Sequence, residues 1–265
     1  MPFLALIAVT AVWGITFVQV KDAVDVYPLF AFQAVRYAIA TGVLGIGLQT
    51  AGLERTTVSS TGFITGLYVV LTPLFGLLLF RTTVGLEVWA GVALSVVGLA
   101  LLSGVDIGSP TGDLLVLASA AAQALQILMV ERYATRYDAV ALTLAQMAAC
   151  FAGFLVIALV LGDLEVPHGR TVWGALIVTG VFASALAYLI QIWAQRRISA
   201  ARIAIVFSLE TVFAGIFGYW LADDRLGWLG WGGCAVILAG IVVAEPSAVS
   251  TLRRLVARPR TSARP

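Results

Sequence analysis

Nine apolar runs follow one another along the chain, at 2–20, 28–51, 60–80, 86–105, 113–130, 139–161, 171–194, 200–221 and 226–244, separated by short polar turns. A helix rises about 1.5 Å per residue, so most of these runs have the ~20 residues needed to cross a bilayer. Inside hydrocarbon every backbone N–H and C=O must be satisfied within the segment, which makes each run a helix. Links this short join antiparallel neighbours. The pattern therefore predicts an all-α, polytopic helical membrane bundle with about nine transmembrane helices. Charged residues make up 11% of the 265, against about 25% in soluble domains, and mean hydropathy is +1.01, which excludes a soluble globular enzyme.

Basic residues orient the bundle. Counting back from the C-terminus, one side collects Arg81, Arg132, Arg136, Arg196, Arg197 and Arg202, with Arg253, Arg254, Arg258, Arg260 and Arg264 of the tail. The other side collects only Arg55, Arg170 and Arg225. Positive charge stays inside, so the C-terminus is expected in the cytoplasm of a bacterium, with the chain multi-pass in its inner membrane. The Arg-rich tail, 246–265, suits anionic lipid, and nucleic acid is not expected as a partner. The first run lacks a basic n-region and a small-residue cleavage motif, and reads as a retained helix. Cys150 and Cys234 lie inside apolar runs, the place of buried thiols and not of a disulfide framework.

The chain also repeats itself. From Leu48 onward the offset is 142 residues, aligning Gln49 with Gln191, Arg55 with Arg197, Phe75-Gly76 with Phe217-Gly218, Trp89 with Trp231, Gly91 with Gly233 and Gly98 with Gly240. Before about residue 42 the better offset is 110, which sets Lys21 against Glu131 and Arg36 against Gln146. The two offsets differ by 32 residues, about one helix and a loop. The expected units are a first repeat at 1–105 with four helices and a second at 106–245 with five. If every run spans, a four-helix unit cannot be inverted with respect to a five-helix one, since inversion needs odd numbers in each. A loss of ~32 residues from a five-plus-five ancestor accounts for the shortfall. Pro73, inside the third run, is expected to kink it and free a backbone carbonyl near mid-membrane.

Glu210 is the clearest candidate for chemistry. It sits about 15 Å from either end of the run 200–221, where a carboxylate is costly unless protonated, paired or wet. Binding a solute or coupling proton and bonding to a neighbouring helix are both open to it. Arg36, about eight residues into the second run, suits a bidentate hold on a substrate carboxylate, or alternatively an ion pair with Asp22 or Asp25 or a reach to the lipid headgroups. Trp13 and Tyr37 can line a cavity or anchor at the interface. Gln33, Gln123, Gln126, Gln146 and Gln191 are neutral hydrogen-bonding groups inside runs, suited to a polar cavity or to helix contacts; Gln123 and Gln126 share a helix face. The candidate substrate-binding set is Arg36, Glu210, Gln146, Trp13, Tyr37 and Gln123.

The only histidine, His168, falls in a loop, and no HExxH, CxxC, GxxxxGK[ST] or intramembrane aspartate pair occurs, so neither an enzyme nor a cofactor nor a metal is expected. Without a nucleotide motif, transport would run on an ion or solute gradient.

Three stretches carry a resemblance: WGITFVQVKDA (13–23), RTTVSSTGFITGLYVVLTP (55–73) and FSLETVFAGIFGYWLADDRLGWLGWGGCAVILAGIVVAE (207–245). They resemble the EamA family of the drug/metabolite transporter superfamily, in both halves of the chain. The resemblance implies two EamA-like five-helix repeats of inverted topology, ten helices with both termini cytoplasmic, and export of amino acids or other small metabolites. The sequence departs from that pattern in having Thr211 where the family has Pro, Asp224 where it has Glu, and part of the second and third helices missing. The expectation is a secondary exporter of small metabolites. The alternatives are a non-transporting bundle left by the deletion or a lipid flippase, and a homodimer is left open.

Overall fold

A computed structural model describes residues 2–24, 48–49, 55, 58–103, 109–162, 166–167, 169–221 and 227–244. Eight helical segments account for eight of the nine expected runs; the ninth, 28–51, lies outside the described residues apart from 48 and 49, as do His168 and the tail. They are α1 (Pro2–Val24), α2 (Val58–Gly66 and Tyr68–Phe80), α3 (Leu86–Ser103), α4 (Pro110–Ala134), α5 (Ala139–Leu161), α6 (Arg170–Gln195), α7 (Ala200–Phe207 and Leu209–Leu221) and α8 (Trp228–Ala244). Six segments, from Thr61–Phe80 to Ala200–Phe217, are long and apolar enough to cross a bilayer. The protein is a multi-pass helical membrane bundle.

Polarity inside the bundle is the reverse of a soluble core. Thr72, Ser95, Ser119, Thr179, Ser184 and Gln191 are buried, while Leu78, Leu86, Val160 and Trp228 are exposed. Apolar side chains lose nothing by facing lipid, so small and hydrogen-bonding residues take the helix contacts. Most of the buried hydroxyls satisfy themselves locally: Thr72 Oγ1 donates to the carbonyl of Tyr68 and Thr179 Oγ1 to that of Ala175, both at 2.7 Å.

The closest packing is between α3 and α8. A methyl group added to Gly98 would lie 2.7 Å from the Gly233 carbonyl oxygen, and one added to Gly91 would lie 2.7 Å from that of Gly240. The pairs 91–240 and 98–233 run in opposite directions, so the two helices are antiparallel. The 142-residue offset carries Gly91 to Gly233 and Gly98 to Gly240, which turns one contact into the other. The contact is thus two-fold symmetric, and α2–α3 is inverted relative to α7–α8. The sequence-level objection to inversion concerned the number of helices ahead of these; the last two of each repeat are inverted whatever that number is.

Helix ends that sequence assigned to one side meet at one end of the bundle. Arg132 lies over the Phe80 ring at 5.4 Å, and Arg202 is 3.7 Å from Glu87. Arg196 donates to the carbonyls of Ala134 (2.7 Å) and Tyr137 (2.8 Å), satisfying the end of α4. Glu131 accepts from the backbone N–H of Ala200 at 3.0 Å and places negative charge at the start of α7.

Candidate functional site

Helix α7 is interrupted two residues before Glu210. The Ser208 hydroxyl donates to the carbonyl of Ile205 at 2.6 Å, and Thr211 Oγ1 donates to that of Ser208 at 2.7 Å. Such back-bonding competes with the i→i−4 ladder and bends helices. Helix α2 is interrupted at Leu67, whose N–H reaches only the Ile64 carbonyl, at 3.1 Å. The irregularity falls six residues ahead of Pro73, which lies buried within the regular stretch Tyr68–Phe80. The two interruptions, 67 and 208, are one residue from exact correspondence at the repeat offset.

Next to the interruption in α2 stands Tyr68, buried at 4% exposure. At the 142-residue offset it is the counterpart of Glu210, and the Glu210 carboxylate lies close enough to act electrostatically on it. Each is ten residues from the start of its helix, about 15 Å, and the helices run in opposite directions, so both sit at mid-bundle. Two equivalent positions of an inverted repeat thus face one another at the centre, one a phenol and the other a half-buried carboxylate. In a low-dielectric interior this is an arrangement in which a proton or a cationic group changes the local energy strongly.

Helix α1 closes on this centre. A methyl group at Gly14 would meet Phe213 Cβ at 2.5 Å and the Ala214 nitrogen at 2.8 Å, so only glycine lets α1 and α7 approach this closely. Trp13 packs edge-on against Phe207, ring centroids 4.9 Å apart, and its Nε1 donates to the Ala183 carbonyl at 2.6 Å. Ala183 belongs to a π-helical stretch of α6, Val178–Leu186, in which Ser184 Oγ also donates five residues back, to the Thr179 carbonyl. π-helical turns leave carbonyls available to such outside donors. Trp13 therefore braces α1, α6 and α7 beside the Glu210 level.

The glutamines form a second centre. Gln126 Nε2 donates to Gln146 Oε1 (2.9 Å), Gln191 Nε2 to Gln126 Oε1 (3.2 Å) and to Gln195 Oε1 (2.9 Å), and Gln195 Nε2 to the Ile127 carbonyl (2.7 Å). This chain joins α4, α5 and α6, and α5 does not pack to any extent against the helix carrying Glu210. Gln123 stays out of it, donating to Ser119 Oγ on its own helix at 3.2 Å. Of the six predicted site residues, Trp13 packs against Phe207, about one helical turn from Glu210, Gln146 joins the amide chain, and Gln123 belongs to neither. Arg36 and Tyr37 lie outside the described residues. Sequence reasoning missed Tyr68, which the repeat offset applied to Glu210 would have found, and Gln195, hidden at the polar end of its run.

Packing between the two interrupted helices is lopsided. Residues 200–207 of α7 pack against 68–80 of α2 and also against α3 and α4. The counterpart of the first contact, 58–66 of α2 against 209–221 of α7, is not comparably packed among the described residues. Correspondingly, residues 203–209 are all buried, whereas 62–65 are half-buried. Among the described residues, the two interrupted helices thus meet through the halves nearer the end where Arg132 and Arg202 lie, while the α1–α7 and α3–α8 contacts join the repeats elsewhere.

Interrupted helices related by an inverted repeat recur in membrane transporters. The chain belongs to the EamA-like transporter family, whose sequence model matches residues 37–104 and 110–244. It is 31% identical over 266 residues to an uncharacterised transporter of Archaeoglobus fulgidus, a match covering 91% of this chain and 85% of the relative. An uncharacterised transporter of Synechocystis is 27% identical over 227 residues, covering 77% of this chain and 68% of the relative. A protein of known crystal structure, 17% identical, superposes with a TM-score of 0.78 over 96% of this chain and 98% of its own, a likeness of fold alone.

Proposed function

We propose that the protein exports amino acids or other small metabolites across a bacterial inner membrane, driven by a proton or solute gradient, with its C-terminus in the cytoplasm. The observation that carries this reading is the Glu210–Tyr68 pair, set at mid-bundle where the two interrupted helices, α2 and α7, meet. Glu210 binds the coupling proton or the cationic group of the solute, and Tyr68 is the polar wall opposite it. Arg36 is assigned the solute carboxylate, with Tyr37 beside it. Access alternates as the two repeats rock, closing one end and opening the other.

The test is counterflow of labelled amino acids and small organic acids into proteoliposomes, at several pH values, for the wild type and Glu210→Gln. A loss of at least about tenfold in rate, with a flattened pH profile, is expected, since tenfold is ~1.4 kcal/mol at the barrier. An unchanged rate and pH profile in the variant overturns the role of Glu210. Absence of counterflow with any solute, accompanied by scrambling of a labelled phospholipid, turns the reading to lipid translocation.

A further inference from the structure

The turn from α2 to α3, residues 81–85, borders an open pocket of about 210 Å³, lined by Leu77, Thr82, Thr83, Val84 and Trp89. A single water needs only about 15 Å³ of such space, so the pocket admits a larger group. Its lining is divided between hydroxyls, from the two threonines, and apolar surface, from the other three. Leu77 is the first of three exposed leucines, Leu77, Leu78 and Leu79, which carry the apolar part onto the outside of α2. Hydroxyls beside hydrocarbon at a helix end match the level where lipid headgroups give way to acyl chains.

Arg81 gives this turn its charge. It ends α2 in the left-handed region, φ 55°, its N–H donating to the Leu77 carbonyl at 3.1 Å and the Thr82 N–H to that of Gly76 at 3.0 Å. Such a cap favours glycine, and Arg81 is the one non-glycine residue at positive φ among the described residues. The backbone would be better served with no side chain, so what the position keeps is the guanidinium. Glu87, the carboxylate at the start of α3, lies 3.7 Å from Arg202, and that pair adds no net charge. Arg132, over the Phe80 ring at 5.4 Å, adds a second cation at the same corner. The turn is therefore positive, and its arginine is one residue from the threonines of the pocket.

The other repeat carries the same turn without the pocket. The 142-residue offset takes Leu77 and Trp89 to Tyr219 and Trp231, whose rings meet edge to face, centroids 6.0 Å apart. The tyrosine ring reaches the tryptophan, where the shorter Leu77 leaves room. In sequence, Asp223 and Asp224 stand in the places of Arg81 and Thr82. Open wall and cation thus occur together in one repeat, and both are replaced in the other.

We infer that the α2–α3 turn seats one anionic phospholipid, its phosphate beside Arg81 and the threonine hydroxyls and its acyl chains along Leu77, Leu78 and Leu79. A guanidinium and two hydroxyls can all donate to phosphate oxygens, and a free phosphate would leave the apolar part of the pocket unused. The site is on the outside of the bundle at a helix end, whereas Glu210 is at mid-bundle, so it does not depend on the transport reading.

The test titrates the full chain in detergent micelles with phosphatidylglycerol and, separately, phosphatidylcholine of the same chains, and counts retained lipids by native mass spectrometry. One phosphatidylglycerol should be retained at least about fivefold more tightly than phosphatidylcholine, the effect of one arginine near an anionic headgroup. Arg81→Gly should abolish that preference while the protein unfolds no earlier, since glycine suits the left-handed cap. Leu77→Tyr, which copies the other repeat at an exposed position, should weaken retention of the first lipid by a similar factor. Arg136→Gln removes a cation from the same end but outside the pocket, and should leave the preference unchanged. Equal retention of the two lipids, or loss of the preference in Arg136→Gln as in Arg81→Gly, overturns the inference. So does a preference that survives Arg81→Gly, which would place it on the tail arginines instead. A dimer in place of bound lipid, dissociated by Leu77→Tyr, would make the occupant a second copy and also overturns it.

Discussion

Replacing Gly98 with alanine tests the packing on which the inverted architecture rests. The new methyl group would lie 2.6 Å from Ile237 Cγ1, 2.7 Å from the Gly233 carbonyl oxygen and 2.8 Å from the Ile237 nitrogen. Two of these atoms are backbone, so relief requires α3 and α8 to move apart along their length. Overpacking of a tight contact costs about 1–3 kcal/mol, and with backbone on the far side the upper part of that range applies. Alanine recovers at most about 1 kcal/mol through its better helix propensity, leaving a net loss of about 1–2 kcal/mol. Gly232→Ala is the control: it lies on α8 with nothing within 4 Å of the added methyl, and should be neutral or slightly stabilising. Gly233→Ala enters the same contact from the other side, 2.6 Å from the Gly98 carbonyl oxygen, and should cost about as much as Gly98→Ala. The double variant should cost less than the sum, because the first methyl already separates the helices. Reversible unfolding in mixed detergent, followed by far-ultraviolet circular dichroism, measures all four. A Gly98→Ala protein as stable as Gly232→Ala, or full additivity of the double variant, refutes the reasoning.

Asp138 caps α5, accepting from the N–H groups of Val140 and Ala141 at 3.0 and 3.1 Å, so Asp138→Ala should lower stability by about 1 kcal/mol while Asp138→Asn retains most of it, measured in the same unfolding assay. Reporters that score only in the cytoplasm or only outside, fused to either terminus, should place the C-terminus inside; nine spans put the N-terminus outside, whereas both termini inside would mean an even number and a topology like that the family resemblance implies.

Eight of the helices were legible because lipid enforces a simple rule: a run of apolar residues long enough to cross must satisfy its own backbone, and Asp138 or the Arg-bearing turns mark where it stops. The irregularities were not legible from hydropathy, which is blind to hydrogen bonding. Ser208 and Thr211 did carry a local signal, two hydroxyls three residues apart with the geometry to bond backward. The π-helical stretch of α6 carried little, since part of what occupies it is the Trp13 indole from a helix 170 residues away in sequence. Glu210 stood out as a lone charge in an apolar run. Its partner did not, because a tyrosine among Val, Leu and Gly looks like packing until the repeat offset sets it opposite a carboxylate. The amides were visible one by one. That Gln126 and not Gln123 links Gln146 to Gln191 depends on which face of α4 meets α5 and α6, which spacing alone leaves open.

The two kinds of contact between the repeats behave differently when the repeats are exchanged. The glycine contact between α3 and α8 maps onto itself: exchanging 91 with 233 and 98 with 240 returns the same two pairs. A conformational change that swaps the shapes of the repeats therefore leaves it unaltered, and it can serve as a fixed axis. The contact of 200–207 with 68–80 does not map onto itself; its image is 58–66 against 209–221, a pair not comparably packed among the described residues. Among the described residues, one member of this second pair of contacts is extensive and the other is not. Tyr68 and Glu210 lie between these two pairs of segments, at the interruption of each helix. If the proposed rocking of the repeats exchanges the two contacts, the difference between a phenol and a carboxylate at equivalent positions lets a proton act unequally on the two states. A symmetric sequence at this point would give pH no reason to favour one such state over the other, and the pH profile of Glu210→Gln tests whether the asymmetry here does.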